Sequence, residues 1–259
     1  MEEKKRIELI VSYDGTNYCG WQIQKNGITV EEILNRELRR LLHEDVAVIG
    51  ASRTDSGVHA KGNIAVFDTK TRIPPEKLCY ALNERLPEDI VIQESREVLP
   101  DFHPRKCRSR KTYEYRIWNR RFRDPLHRLY SYFVYVPLDL EAMREAAACL
   151  EGEHDFASFC SSGSQAATTV RTLYQVSLMR EGDLIIIRLT GNGFLYNMVR
   201  IIAGTLIKVG MHVYPPSHMK EILEARDRRQ AGPKAPAVGL TLMKIEIDEN
   251  EPHYPKAHE

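Results

Sequence analysis

The sequence lacks the long apolar runs that mark a membrane protein. No uncharged apolar stretch approaches the roughly 18 residues that a spanning helix needs. The N-terminus, Met1-Glu2-Glu3-Lys4-Lys5-Arg6, is charged and leads directly into an alternating, strand-like pattern, unlike a signal peptide. We therefore expect neither secretion nor membrane insertion.

Cysteine and histidine spacing gives no sign of a disulfide framework or a metal site. The five cysteines are odd in number and widely scattered, without a Cys-x-x-Cys pair. The nine histidines include no His-Glu-x-x-His spacing. The sequence predicts no metal, and free thiols fit a reducing cytoplasm.

Net charge is also small, at +1, but it is unevenly distributed. Residues 103–130 contain ten lysines and arginines against two acids, a balance of +8, which leaves −7 for the rest of the chain. The cations are Arg105, Lys106, Arg108, Arg110, Lys111, Arg116, Arg120, Arg121, Arg123 and Arg128, and the acids are Glu114 and Asp124. Such polarised charge indicates one electropositive surface for a polyanion.

Aromatic residues alternate with these cations. They are Tyr113, Tyr115, Trp118 and Phe122. Their rings could stack on unpaired bases of a nucleic acid. The alternative is a solvated strand whose aromatic face lies in the protein core.

Hydrophobic periodicity predicts an α+β fold with mainly antiparallel sheet. The first half shows strands near 7–13, 46–51, 63–68 and 89–98, with helices after a Thr29/Glu32 capping box and from Pro74 to about Leu86. The second half shows strands near 108–118, 130–136, 169–179, 184–190 and 239–247. Its helices are predicted at 139–150, closed by Gly152, and near 194–209 and 216–226.

A polar, glycine-punctuated loop, Gly50 to Asn63, separates two apolar segments and carries one carboxylate, Asp55. The residues Thr54-Asp55-Ser56-Gly57 are typical of a β-turn, so by pattern alone a plain turn is one interpretation. The other is a catalytic loop, because Arg53 and His59 are close in sequence and the glycines allow a large ligand to approach the backbone.

The stretch Gly50-Ala51-Ser52-Arg53-Thr54-Asp55-Ser56-Gly57-Val58-His59-Ala60 resembles the active-site signature of the tRNA pseudouridine synthase A (TruA) family, which isomerises uridine in RNA without a cofactor. Further blocks resemble the family over nearly the whole chain: 13–22, 101–105, 111–115, 152–159, 169–172, 192–200 and 235–240. Three positions depart from the family pattern, which usually has Gly at Ser52, Ala at Ser56 and Gln at Asn63.

The resemblance implies a pseudouridine synthase-like α+β fold with two similar subdomains whose sheets join across a central cleft. We expect residues 1–104 to form the N-terminal subdomain with the Asp55 loop, and residues 105–259 the C-terminal subdomain with the basic strand. The family also implies a homodimer that binds tRNA across both protomers.

The resemblance assigns roles to four residues, and Arg53 is our candidate for a fifth role. Asp55 is the catalytic residue, and we expect Arg53 to fill or steer the position that the target base leaves. Tyr113 lies against the target uracil, and Arg200 is the cation that keeps the Asp55 carboxylate ionised. Leu240 lines the cleft with an apolar wall. By pattern alone, Tyr113 is a core strand residue and Arg200 a helix-surface cation.

Asp55 could attack the sugar or base covalently, or remove the C2′ proton to give a glycal, and the sequence leaves both routes open. The expected target is uridine at positions 38–40 of the tRNA anticodon arm. Alternatives are another position or RNA, or an RNA-binding or RNA-folding protein without activity. A sugar hydrolase is disfavoured, since glycoside hydrolysis generally uses two carboxylates and the loop supplies one.

Overall fold

The computed structural model describes residues 4–248 of the 259-residue chain. Contacts divide the described chain into two units. Unit 1 contains residues 4–109 and 242–248, and unit 2 contains residues 110–241.

Residues 4–248 form ten strands and five α-helices, together with short 3-10 turns. The strands are β1 (Lys5–Tyr13), β2 (Ile49–Gly50), β3 (His59–Thr69), β4 (Ile90–Val98), β5 (Ser109–Asn119), β6 (Tyr132–Val134), β7 (Gly152–Asp155), β8 (Val170–Glu181), β9 (Leu184–Gly191) and β10 (Leu240–Ile247). The helices are α1 (Val30–Leu42), α2 (Leu78–Asn83), α3 (Leu140–Ala147), α4 (Met198–Gly210) and α5 (His218–Ala225). This content confirms the predicted α+β class.

Unit 1 is built on the strand order β4-β1-β3-β10, with β2 paired to β3. β1 is antiparallel to both β3 and β4. Ile7, Leu9 and Val11 alternate along β1 and are fully buried, as the period of two in the sequence requires. Residues 242–248 belong to this unit, through β10.

Helix α1 begins and ends at the signals that the sequence carries. Thr29 is the N-cap, and its side chain accepts a hydrogen bond from the Glu32 N–H, which satisfies one of the free donors of the first turn. Ile33, Leu34 and Leu38 are buried along one face. The helix ends at His43, which adopts the left-handed conformation.

Unit 2 is also built mainly from antiparallel strands, and these differ in length from the strands of unit 1. β9 lies between β5 and β8 and is antiparallel to both, β7 pairs with β8, and β6 is parallel to β5. α4 is buried along almost its whole length. None of the helices in residues 4–248 has the length and apolar composition that crossing a membrane requires.

Several predicted elements differ in extent from those observed. The strand predicted at 46–51 is reduced to Ile49–Gly50. The helix predicted from Pro74 to Leu86 consists of a 3-10 turn at Pro75–Lys77 followed by Leu78–Asn83. The helix predicted from 194 begins at Met198, and β7 was not predicted.

Candidate active site

The Asp55 loop, residues 51–58, connects β2 to β3 in unit 1. Its first residues are fixed by the fully buried side chain of Asn63. The Asn63 amide donates to the Ser52 carbonyl oxygen at 3.0 Å and accepts from the Ser52 N–H at 3.2 Å. Ser52 lies outside the left-handed region, so the serine that replaces the usual family glycine causes no backbone strain.

The end of β1 and the segment after it, residues 13–21, hold the other side of the loop. The Trp21 N–H donates to the Thr54 carbonyl oxygen at 3.1 Å, and the Gly57 N–H donates to the Tyr18 carbonyl oxygen at 3.3 Å. The Tyr13 and Thr54 hydroxyl oxygens are 2.8 Å apart. The Asp55 backbone is therefore held between two well-anchored neighbours.

Two glycines allow this close approach. A Cβ atom on Gly20, whose φ is +85°, would lie 2.4 Å from the Thr54 carbonyl oxygen. A Cβ atom on Gly15 would lie 2.0 Å from the Val58 carbonyl oxygen. Both distances are far below a normal van der Waals contact, so both positions need glycine.

The sequence pattern assigned no role to residues 13–21, although they form one of the blocks that resemble the family. The signal was present as two glycines, Gly15 and Gly20, in a short polar segment after a strand. Glycines at such positions often mark a close approach of two backbones. Which backbone approaches them depends on the folded path of the chain, and local sequence does not encode it.

Asp55 is half-buried, and its carbonyl oxygen accepts from the Val58 N–H at 3.1 Å. Arg53 is exposed. Arg105 donates from Nε to the Gly50 carbonyl oxygen at 2.6 Å, and desolvation together with the positive charge of Arg53 lowers the pKa of Arg105. Because arginine stays protonated, two cations lie close to the start of the loop, an arrangement that suits a phosphate group.

His59, the first residue of β3, is buried and binds the same 13–21 segment. Its Nδ1 accepts from the Gly15 N–H at 3.1 Å. The ring thus connects the end of the Asp55 loop to the turn after β1. This contact gives His59 a structural role.

Tyr113 and Arg200 lie in unit 2 and are both buried. The Tyr113 ring, on β5, meets the Phe194 ring edge-on, with centroids 5.0 Å apart. Arg200, in the first turn of α4, donates from Nε to the Ala235 carbonyl oxygen at 2.8 Å and from Nη1 to Asn197 Oδ1 at 3.0 Å. Arg200 is therefore not the helix-surface cation that its pattern alone suggested.

Leu240 is buried and follows a tight 3-10 turn, Ala237–Gly239. The Tyr115 hydroxyl donates to the Pro236 carbonyl oxygen at 2.8 Å, and burial raises the pKa of that hydroxyl, which keeps it protonated as a donor. A Cβ atom on Gly239 would lie 2.9 Å from the Tyr115 ring. Leu240 thus lies at the end of a short segment, residues 235–240, whose first residue accepts a hydrogen bond from Arg200.

Several cations of residues 103–130 make structural contacts within unit 2. Glu114, fully buried on β5, accepts hydrogen bonds from Arg188 and Arg116, and Arg120 is paired with Asp183. Arg110 lies over the Tyr174 ring at 4.8 Å and Arg121 over the exposed Phe122 ring at 5.1 Å.

The aromatic side chains of this stretch divide into two groups. Tyr115 is 0% exposed, so the expectation that it could stack on a base is wrong. Trp118 is also buried, and it stacks on His127 with ring centroids 4.1 Å apart. Phe122 has a ring that is open to solvent.

A sequence model described as tRNA pseudouridine synthase matches residues 9–105 and 146–248. The chain is 47% identical over 241 residues to tRNA pseudouridine synthase A of Thermoanaerobacter sp. (strain X514), covering 93% of this chain and 99% of that protein. It is 49% identical to tRNA pseudouridine synthase A of Acetivibrio thermocellus, with the same coverage of both chains. The chain belongs to the tRNA pseudouridine synthase A family.

Proposed function

We propose that the chain converts uridine to pseudouridine in the anticodon arm of tRNA, at positions 38–40, with Asp55 as its catalytic residue. The observation that carries the proposal is the loop of residues 51–58 with its Arg53-Thr54-Asp55 sequence, because hydrogen bonds with Asn63, Trp21 and Tyr18 hold the loop backbone. A rigid scaffold that presents one carboxylate on a short loop is suited to chemistry that depends on exact placement.

The reaction breaks the bond between ribose C1′ and uracil N1, turns the base, and rejoins it through C5. Asp55 acts as an ionised carboxylate, either as a nucleophile or as the base that removes the C2′ proton. The target uridine must first leave its stack, which costs a few kcal/mol. We assign Arg53, which is exposed on the same loop, to the space that the base vacates.

The remaining assignments concern the target base. Tyr113 is proposed to lie against the uracil, where a ring face can stack and a hydroxyl can bind. Arg200 is proposed as the cation that keeps the Asp55 carboxylate ionised. Hydrogen bonds to the Ala235 and Asn197 oxygens hold the guanidinium in one orientation. Leu240 is proposed as an apolar wall of the base pocket.

We propose that the tRNA backbone binds to the cations of residues 103–130, and that the active form is a cytoplasmic homodimer. Phosphate contacts from lysine and arginine supply most of the affinity in such complexes. Exposed Phe122, beneath the Arg121 guanidinium, is a candidate platform for an unpaired base.

The test is to map pseudouridine in total RNA from cells with and without the gene, and in unmodified tRNA incubated with the purified protein. We expect loss of pseudouridine at positions 38–40 in the mutant cells and its restoration in vitro. Sites that change elsewhere would identify a different target. An unchanged map together with tRNA binding would support the RNA-binding or RNA-folding alternative.

A further inference from the structure

The last residue of β1, Tyr13, lies against the residue that precedes the catalytic carboxylate. The Tyr13 hydroxyl oxygen is 2.8 Å from Oγ1 of Thr54, and one hydroxyl donates to the other. Tyr13 is 5% exposed and Thr54 is 8% exposed. A hydrogen bond that is shielded from water in this way holds its partners more firmly than an exposed one.

Backbone hydrogen bonds also hold the peptide groups next to Asp55. The Trp21 N–H binds the Thr54 carbonyl oxygen, and the Val58 N–H binds the Asp55 carbonyl oxygen. These contacts fix the peptide groups on both sides of the Asp55 Cα atom. The hydroxyl pair adds a side-chain contact that substitution can remove while the backbone hydrogen bonds remain.

The ring and the hydroxyl of Tyr13 make separable contacts. The ring packs against Trp21, with centroids 5.9 Å apart, and Trp21 is fully buried. Phenylalanine at position 13 would preserve that packing and remove the hydroxyl. The chain therefore offers a substitution that tests placement of the loop with little effect on the core.

We propose that Tyr13 is a positioning residue: through the hydrogen bond between its hydroxyl and that of Thr54, it positions the Asp55 carboxylate for the chemical step. The proposal rests on the proposed function, since it concerns the same carboxylate. Displacement of a reacting group by about 1 Å can reduce a rate by about a hundredfold. A partial loss of position therefore lowers the rate of the chemical step without weakening RNA binding.

The experiment compares Tyr13→Phe, Thr54→Val and the double variant in single-turnover pseudouridine formation on tRNA. Each single variant is expected to be slower by about tenfold, with the tRNA Kd unchanged. The double variant is expected to be no slower than the worse single variant, because both remove the same hydrogen bond. Thr54→Ser retains a hydroxyl and should recover most of the wild-type rate.

The matched control is Thr69→Val, at the far end of β3 from the Asp55 loop. Thr69 is fully buried, and its hydroxyl donates to Glu44 Oε1 at 2.9 Å. This variant loses a buried threonine hydroxyl as Thr54→Val does, and it should lose stability while keeping the wild-type rate. Slowing of the control to the same degree would show that general loosening explains the rates and would overturn the proposal.

Two further outcomes separate this proposal from the proposed function. A wild-type protein that forms no pseudouridine in tRNA refutes the proposed function and this proposal with it. Two outcomes refute the positioning role alone. In the first, Tyr13→Phe turns over at the wild-type rate; in the second, the rate losses of the two single variants multiply in the double variant. The rate of each variant is measured on whichever uridine the wild-type protein modifies.

Discussion

Asp55 is half-buried on a loop that the surrounding residues hold by its backbone. Replacement by asparagine keeps the size of the side chain, but it removes the charge and turns one acceptor oxygen into an NH2 donor. We expect Asp55→Asn to abolish turnover and to change tRNA affinity by only a small factor, because phosphate contacts supply most of the binding. Tritium release from tRNA labelled at uracil C5 measures the turnover.

The control for Asp55→Asn is Asp45→Asn, because the Asp45 side chain is 92% exposed and pairs with Arg39 at the surface. It should behave as the wild type. Fresh protein is needed, since deamidation would restore aspartate. Appreciable turnover by Asp55→Asn would remove Asp55 from the catalytic role.

Tyr113 allows a second test at the level of one side chain. Its ring is nearly buried against Phe194, so Tyr113→Ala should lose about 3–5 kcal/mol of stability whether or not the ring meets substrate. Tyr113→Phe keeps the ring. If the ring stacks on uracil, the Ala variant should be far slower than the Phe variant when rates are expressed per folded molecule. Equal rates per folded molecule would make Tyr113 a core residue.

The site residues were identified through resemblance, and the structure adds what the pattern could not contain. Sequence spacing cannot reveal that Arg200 is buried against Ala235, 35 positions away. It also could not show that Asn63 and Ser52 form a pair across the loop. Such contacts depend on the path of the chain between the two residues, which local periodicity does not encode.

At the scale of elements, local sequence signals predicted which helices and strands exist better than they predicted where these elements begin and end. Helix α1 follows its capping residue because that interaction is local. The strand predicted at 46–51 is short because the Val48 N–H does not donate to a neighbouring strand. It donates instead to Oδ1 of Asn35, a residue of α1, at 2.8 Å. α4 begins at Met198 because Asn197 adopts the left-handed conformation, which ends any helix that precedes it.

Strand β5 carries a buried carboxylate whose charge state should be visible in stability. Burial would raise the pKa of Glu114, but hydrogen bonds from Arg188 and Arg116 outweigh it and lower that pKa below its ordinary value. A lowered folded-state pKa stabilises the fold above the unfolded pKa of about 4.3, and this stabilisation is lost as pH falls through the folded value.

Glu114→Gln should therefore lower the free energy of unfolding at pH 7 by about 1–3 kcal/mol, because two partly exposed arginines lose their carboxylate. The difference from wild type should shrink below about pH 4, as the wild-type carboxyl becomes protonated. Urea unfolding at pH 7, 5, 4 and 3 measures the difference. A difference that is constant over this range would mean that the glutamate contributes through packing.

At the scale of the molecule, the hydrophobic periods of helices and strands predicted the α+β class. They did not predict that β10 joins unit 1. A strand pattern shows which face is apolar and not which partner it will meet. Leu242 to Ile247 joins unit 1 through β10, although it lies more than 170 positions after β3. The charge pattern, in contrast, depends only on the positions of the charged residues along the chain, which the sequence states directly.

That uneven charge, +8 in residues 103–130 against −7 elsewhere, gives the last prediction. Reversing Arg108, Arg110 and Arg121 together should weaken tRNA binding and flatten its salt dependence, since each lost phosphate contact removes about one unit of the log–log slope. Arg110 and Arg121 lie over aromatic rings, so circular dichroism must confirm that the variant is folded.

Reversal of Arg39, Arg40 and Lys220, three exposed cations outside residues 103–130, changes net charge equally. This control should weaken binding much less and leave the slope nearly unchanged, because a local surface depends on where the charges lie. Equal effects from the two triple variants would mean that net charge alone attracts the RNA, and wild-type binding by the first variant would show that residues 103–130 do not contact it.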